Sequence, residues 1–202
     1  MTHRHSEILF TDAVRAAQER FGSREQGERL RTHGQANDTL TEAEREFIQA
    51  RDGFYLASVS ESGWPYVQFR GGPAGFVRAL DGKTLAYPDF RGNRQYISTG
   101  NMEHDGRVAL LFMDYARPAR LKLLGRARII DAAQAPELAR QLQLPDYRAR
   151  VERVVLIAVE AFDWNCPQHI TPRFTAEQIE AIVEPLRARI AELESQLSAV
   201  PG

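Results

Sequence analysis

"RGGPAGFVRALDGKTLAYPDFRGNR", residues 70–94, holds two apolar runs on either side of Asp81-Gly82. Asp-Gly between apolar runs readily takes the positive φ of a tight hairpin turn. Residues 75–80 and 84–87 are therefore expected to pair as antiparallel strands. Each flank of the hairpin carries arginine beside glycine: Arg70 before Gly71-Gly72, then Arg91 and Arg94 around Gly92-Asn93. A hairpin can bring Arg70 and Arg94 to the same end of a barrel. The glycines permit close backbone approach to a ligand or unusual dihedrals. The guanidiniums can hold phosphate oxygens in bidentate fashion. A helix expected over residues 93–103 would add free N–H groups and a favourable dipole. Read singly, a glycine pair is a turn or bulge and an arginine pair a solvated face; on joined strands they point together to a bound phosphate.

Further strands are expected on both sides of this hairpin. "FYLASVS" (54–60) is turned by "ESG" into "YVQFR" (66–70), and "VALLFMDY" (108–115) precedes "RLKLLGRARIID" (120–131). "VVLIAVEAF" (154–162) is the last strand. Helices are expected over 11–21, where Thr11 can cap, and from Thr41, whose Glu44 completes a capping box. A short helix follows Pro136, and residues 22–38 read as a polar connection. The result is mainly β with short helices (α+β), and the strand spacing favours a barrel over a doubly wound sheet. Residues 175–198 form a last helix, begun by a Thr175–Gln178 capping box. Ile179, Val183, Leu186, Ile190, Leu193 and Leu197 make a heptad seam along it. That seam suits packing on its own domain and pairing between subunits equally. Pro185 predicts a kink or a restart. The chain thus divides into an N-terminal helical extension (1–40), a barrel domain (41–174) and a C-terminal helix (175–202).

A hydrophobic fraction of 43% in 202 residues supports a substantial core. Lys+Arg at 26 against Asp+Glu at 27 argue against a nucleic-acid surface or a polybasic membrane patch. There is no long apolar span and no signal-peptide pattern, so a cytoplasmic protein is expected. Cys166 is the single cysteine, and the five histidines are scattered, which predicts no metal site. His3 and His5 are close in sequence, in a segment expected to be mobile. Gly-x-Ser-x-Gly, the Walker loop and the Gly-x-Gly-x-x-Gly fingerprint are absent. Cys166 lies three residues before His169, but it reads more naturally as a small, partly buried side chain than as a nucleophile.

The order "RGGPAGFVRALDGKTLAYPDFRGN", then Asn101, "VALLF" and "LKLLGRARI", resembles the pyridoxamine 5′-phosphate oxidase-like family of FMN-binding split barrels, its non-oxidase branch above all. "AVRAAQERFGSR" and "WNCPQHITPRF" also look like that branch. The resemblance implies a split β-barrel with N-terminal helices and a long C-terminal helix, working as a homodimer with FMN in two clefts between subunits. It implies a flavin phosphate held by Gln68, Arg70, Gly71 and Gly72 on one side and by Asn93 and Arg94 on the other. Tyr87 and Pro88 would run along the flavin, and Trp164 and Arg173 would come from the partner subunit. His169 is a candidate acid or base near the ring. Gly92-Asn93-Arg94 stands where the oxidases have serine–arginine–lysine, and their terminal arginine–x–histidine motif is not reproduced. The expectation is therefore an FMN-dependent oxidoreductase on a small-molecule redox substrate, reduced nicotinamide among the candidates, and not a vitamin B6 oxidase. The alternatives are a non-catalytic flavin, haem or deazaflavin module, and a structural dimer whose C-terminal helix recruits a partner. "VALLFMDY" and "LKLLG" are more apolar than a solvent-facing wall tolerates, which predicts burial against a second copy.

Overall fold

The computed structural model describes residues 2–164, 166 and 168–198. Asn165 and Pro167 of the "WNCPQHITPRF" stretch, and residues 199–202 of the C-terminal segment, lie outside the described residues. The chain forms two compact units. The first comprises residues 1–113 and 119–166, the second residues 114–118 and 167–202.

Seven strands carry the first unit: β1 (Gly53–Val59), β2 (Pro65–Gly71), β3 (Arg78–Ala79), β4 (Thr84–Phe90), β5 (Arg107–Asp114), β6 (Ala119–Asp131) and β7 (Val151–Trp164). Their order in the sheet is β2-β1-β5-β6-β7-β4-β3. The described pairings are antiparallel, with Tyr55 opposite Phe69 on one side and Leu111 on the other. This is the expected α+β split barrel. The Asp81-Gly82 hairpin forms, with Ala79 opposite Leu85, but its first arm shrinks to Arg78–Ala79 because Gly75 sits in a turn at φ 85°.

Period-two burial explains the long strands. Along β5, Val108, Leu110 and Phe112 are buried while their neighbours are not. Phe54, Phe76, Tyr87 and Phe112 fill the centre, with Phe54 within 5.0 Å of the Phe112 ring and 5.3 Å of Tyr87. At the β6 bulge between Leu124 and Gly125, a Cβ on Gly125 would stand 2.6 Å from Ile157 and 2.7 Å from the Ala158 carbonyl, so only glycine fits. Trp64, Val67 and Phe69, on or just before β2, are among the exposed apolar side chains, whereas Val108, Leu110, Phe112, Leu121 and Leu123 of the β5 and β6 runs are buried within the chain itself.

Among the described residues the first unit also holds the helices α1 (Arg4–Leu9), α2 (Asp12–Arg20), α3 (Arg24–His33), α4 (Glu42–Gln49), α5 (Ile97–His104) and α6 (Pro136–Leu142), and the second unit holds α7 (Ala176–Ser198). The Thr41 capping box is present. α3 occupies the segment expected to be a connection. Its sequence has almost no apolar stripe and is held instead by Arg24–Glu28 and Glu28–Arg31 pairs. The Arg31 hydrogen bond holds the Glu28 carboxyl down to about 2. α7 runs through Pro185 as one helix without a restart. Among the described residues no helix is long and apolar enough to cross a membrane.

The first helix overturns the expectation of a mobile N-terminus. His3 and His5 are both buried. His3 caps α1 through Ser6 and faces Asp163 at 3.6 Å. The His5 N–H donates to Asn37, whose side chain also donates to the Phe162 carbonyl. Burial pushes the His5 pKa below its ordinary 6.5, against the pull of Asp163 and with the help of Lys122 and His3. A histidine depressed in the folded state stabilises it above the unfolded pKa and loses that contribution as pH falls below about 6.5. Amide protection factors in α1 should therefore fall between about pH 7 and pH 5. Protection that stays flat over that interval would contradict this reading of His5.

Candidate functional site

β2, β4, β7 and the start of α5 meet at a cleft of about 180 Å³. Gln68 and Arg70 enter from β2, Asp89 from β4 and Arg153 from β7. Asn93, Arg94, Tyr96 and Ser98 come from the turn and helix that follow β4.

Asp89 organises the floor. It is only 3% exposed, on a strand buried on both faces. Arg153 is its register partner on β7 and reaches its Oδ2 from Nη2 at 2.7 Å. Arg70 Nη1 donates to Oδ1 at 2.7 Å. One buried carboxylate thus faces two guanidiniums, and Arg153 Nη1 also reaches Glu152 at 3.5 Å. Arg70 Nη2 also donates to Ser98 Oγ at 2.5 Å, and Ser98 donates to Gln68 at 2.8 Å. Arg70 Nε is buried and has no hydrogen-bond partner among the described residues.

The turn before α5 is strained. Arg94 has φ 62° and Tyr96 φ 55°, a left-handed conformation that side chains rarely adopt. Asn93 stabilises the turn by accepting from the Gln95 N–H at 3.1 Å. These residues delay the helix from the expected 93 to Ile97. Tyr96 occupies the N-cap without a side-chain capping bond. An α-helix leaves its first N–H groups unpaired, and here Ile97, Ser98 and Thr99 line the cleft. Arg94 is exposed and donates from Nε to the Tyr96 hydroxyl at 3.3 Å; that bond lowers the Tyr96 pKa and raises that of Arg94. Arg153 lies over the Tyr96 ring, 4.9 Å from its centre.

Four of the expected residues therefore meet: Gln68, Arg70, Asn93 and Arg94. Gly71, Gly72, Tyr87 and Pro88 are not among the residues that line this cleft, and Trp164 and Arg173 were expected from a partner subunit. Gly71 and Gly72 do not line the cleft and adopt no positive φ. They make room for this chain's own aromatics: a Cβ on Gly72 would stand 2.8 Å from Phe76, and one on Gly71 2.9 Å from Phe69. Tyr87 and Pro88 are buried on β4, and the Tyr87 hydroxyl, without a hydrogen-bond partner among the described residues, has its pKa raised by burial. Trp164 is held within its own chain, donating to Glu44 at 2.7 Å and meeting Phe47 edge-on at 4.7 Å. Burial alone would raise the Glu44 pKa, but hydrogen bonds from Thr41 and Trp164 outweigh it and lower the value. In the second unit Arg173 stands over the Tyr115 ring at 5.1 Å. Cys166 is exposed, not partly buried, and His169 is exposed as well.

Asp89, Ser98, Tyr96 and Arg153 were not anticipated. One signal for Asp89 exists in the sequence: an acid inside "TLAYPDF" must find a cation if that run is buried.

Residues 40–164 match the family model described as pyridoxamine 5′-phosphate oxidase. No curated protein matches the chain. Among solved structures, HupZ of Group A Streptococcus is similar at 22% identity, covering 67% of this chain and 99% of that one, with a TM-score of 0.50. A histidine-to-alanine variant of the same protein is similar at 23% identity, over 62% and 98% of the two chains, with a TM-score of 0.50. An FMN-binding protein from Syntrophomonas wolfei matches at 8% identity, over 77% and 96%, with a TM-score of 0.47. At these identities the likeness to the two streptococcal structures speaks for the fold alone.

Proposed function

The chain belongs to the pyridoxamine 5′-phosphate oxidase family, and on that premise we propose that it binds FMN at this cleft as a flavin-dependent oxidoreductase. The observation that carries the proposal is the convergence of Arg70 and the N-terminus of α5, which has no side-chain capping bond, on one cleft with Arg94 at its edge. Such a donor set suits a phosphate ester: charge-assisted donors, a hydroxyl and free helix N–H groups together. In this reading Arg94 and the first N–H groups of α5 hold the phosphate. Arg70, oriented by Asp89 and Ser98, closes the other side. Bound FMN would supply hydride or electron transfer, and the protein would supply position and electrostatics. No side-chain nucleophile is then needed. Reduced nicotinamide is the proposed electron donor.

The cleft in one chain, about 180 Å³, is smaller than the roughly 300–1,000 Å³ of ordinary cofactor sites. A second copy would enlarge it. Trp64, Val67 and Phe69 stand exposed on the edge strand and the turn before it, the sort of apolar edge that needs cover. We therefore read the functional unit as a twofold homodimer with two equivalent clefts, to which Trp164 and Arg173 of the partner subunit contribute. Sedimentation with simultaneous flavin detection over a dilution series tests this. Flavin should leave as the dimer dissociates. A monomer that still carries stoichiometric FMN would sink the shared cleft and demand a site built within one chain.

A further inference from the structure

The second unit ends in α7, a 23-residue helix with no buried residue. A helix of that length extends about 34 Å. Its apolar side chains recur at steps of four and three: Ile179, Val183, Leu186, Ile190, Leu193 and Leu197. Five of the six are exposed, from 40% at Leu193 to 74% at Leu197. A periodic apolar stripe held open along a whole helix is costly unless something covers it.

The chemistry of the stripe selects the cover. In heptad register Val183, Ile190 and Leu197 fall at a, and Ile179, Leu186 and Leu193 at d. β-branched residues at a with leucine at d favour two parallel strands; Val183 and Ile190 at a, with Leu186 and Leu193 at d, follow that rule. Pro185 falls at c, on the outer side, so its ring does not enter the seam. The flanking charges agree. Arg189 occupies g and Glu194 occupies e, and a parallel in-register pair sets each g residue against the e residue five positions on in the other helix. Within one chain Arg189 reaches Glu192 at 2.5 Å. In the pair it also faces Glu194 of the partner subunit, once on each side.

We propose that α7 is a dimerisation helix that pairs in parallel with α7 of a second copy of this chain. The seam spans under three heptads and is weak alone. It draws on the proposed homodimer, which raises the effective concentration of one helix for the other, and so rests on that reading.

Disulfide trapping tests it in the full chain. Cys166, an exposed free thiol, is first replaced by serine. Leu193→Cys then places one thiol at d, and Ala188→Cys at the outer f position is the control. Leu193→Cys should oxidise to a covalent dimer at least roughly tenfold faster than Ala188→Cys, with or without added FMN. Arg189→Glu should slow trapping, and Arg189→Glu with Glu194→Arg should restore it. Sedimentation of the same unoxidised samples separates the two readings. A dimer in which both thiols trap at the same rate overturns the helix pair and leaves the shared cleft standing. A monomer in which neither thiol traps overturns both.

Discussion

Asp89→Ala should lower the melting temperature by roughly 6–20 °C. Its carboxylate is buried between Arg70 and Arg153, at 2.7 Å from each. Removing one member of a buried ion pair typically costs about 3–5 kcal/mol, because the remaining charge is left uncompensated. In a chain of this size each kcal/mol moves the midpoint by about 2–4 °C. Arg70 loses this counter-charge while Arg153 keeps Glu152 at 3.5 Å, so the middle of that range is expected. Asp89→Asn, which keeps an acceptor and removes the charge, should fall between the alanine variant and the native protein. Thermal melts of the three proteins without flavin decide the matter. A shift under about 2 °C for Asp89→Ala would mean that the buried triad contributes nothing to the fold.

Arg94→Ala should weaken FMN binding by about tenfold to a hundredfold and leave the melting temperature of the flavin-free protein unchanged. The guanidinium is exposed, pairs only with Tyr96 among the described residues, and sits at the open end of α5. A hydrogen bond to a charged group is worth about 1.5–3 kcal/mol, and about 1.4 kcal/mol is a factor of ten in affinity. Arg70→Ala should differ in kind. It removes one of the two partners of Asp89 as well as a phosphate donor, so both affinity and stability should fall. Fluorescence titration with FMN reads the first effect and melting the second. Unchanged affinity in both variants would remove the two arginines from the phosphate site.

The contrast between these two arginines marks how far the sequence could be read. Arg70 and Arg94 were both expected as anion donors, Arg70 beside Gly71 at the end of a strand and Arg94 after Gly92-Asn93 at a strand-to-helix junction. The strands were legible because the apolar run "VALLFMDY" and the Asp81-Gly82 turn are local signals, as are the capping boxes at Thr41 and Thr175. What turns Arg70 from a free donor into an oriented one is Asp89 with Arg153. The Asp89–Arg153 pair is separated by 64 residues and fixed only by the register of β4 against β7. No periodicity announces such a pair. α3 escaped notice for a different reason: charge pairs hold it, and its one large apolar side chain, Leu30, is exposed. The displaced start of α5 depended on two left-handed residues, Arg94 and Tyr96, neither a type that invites that conformation. The glycine pair also answers a packing need that its sequence did not announce, because Gly71 and Gly72 accommodate Phe69 and Phe76 of this chain.

The visible absorption spectrum of the full chain, purified and then saturated with FMN, with mass analysis of whatever ligand is released, tests the flavin assignment most directly. The predicted result is a two-band flavin spectrum, a released mass equal to FMN, and one flavin for each chain of a dimer. A colourless protein that takes up no added FMN would contradict it, and so would a released haem or deazaflavin in its place.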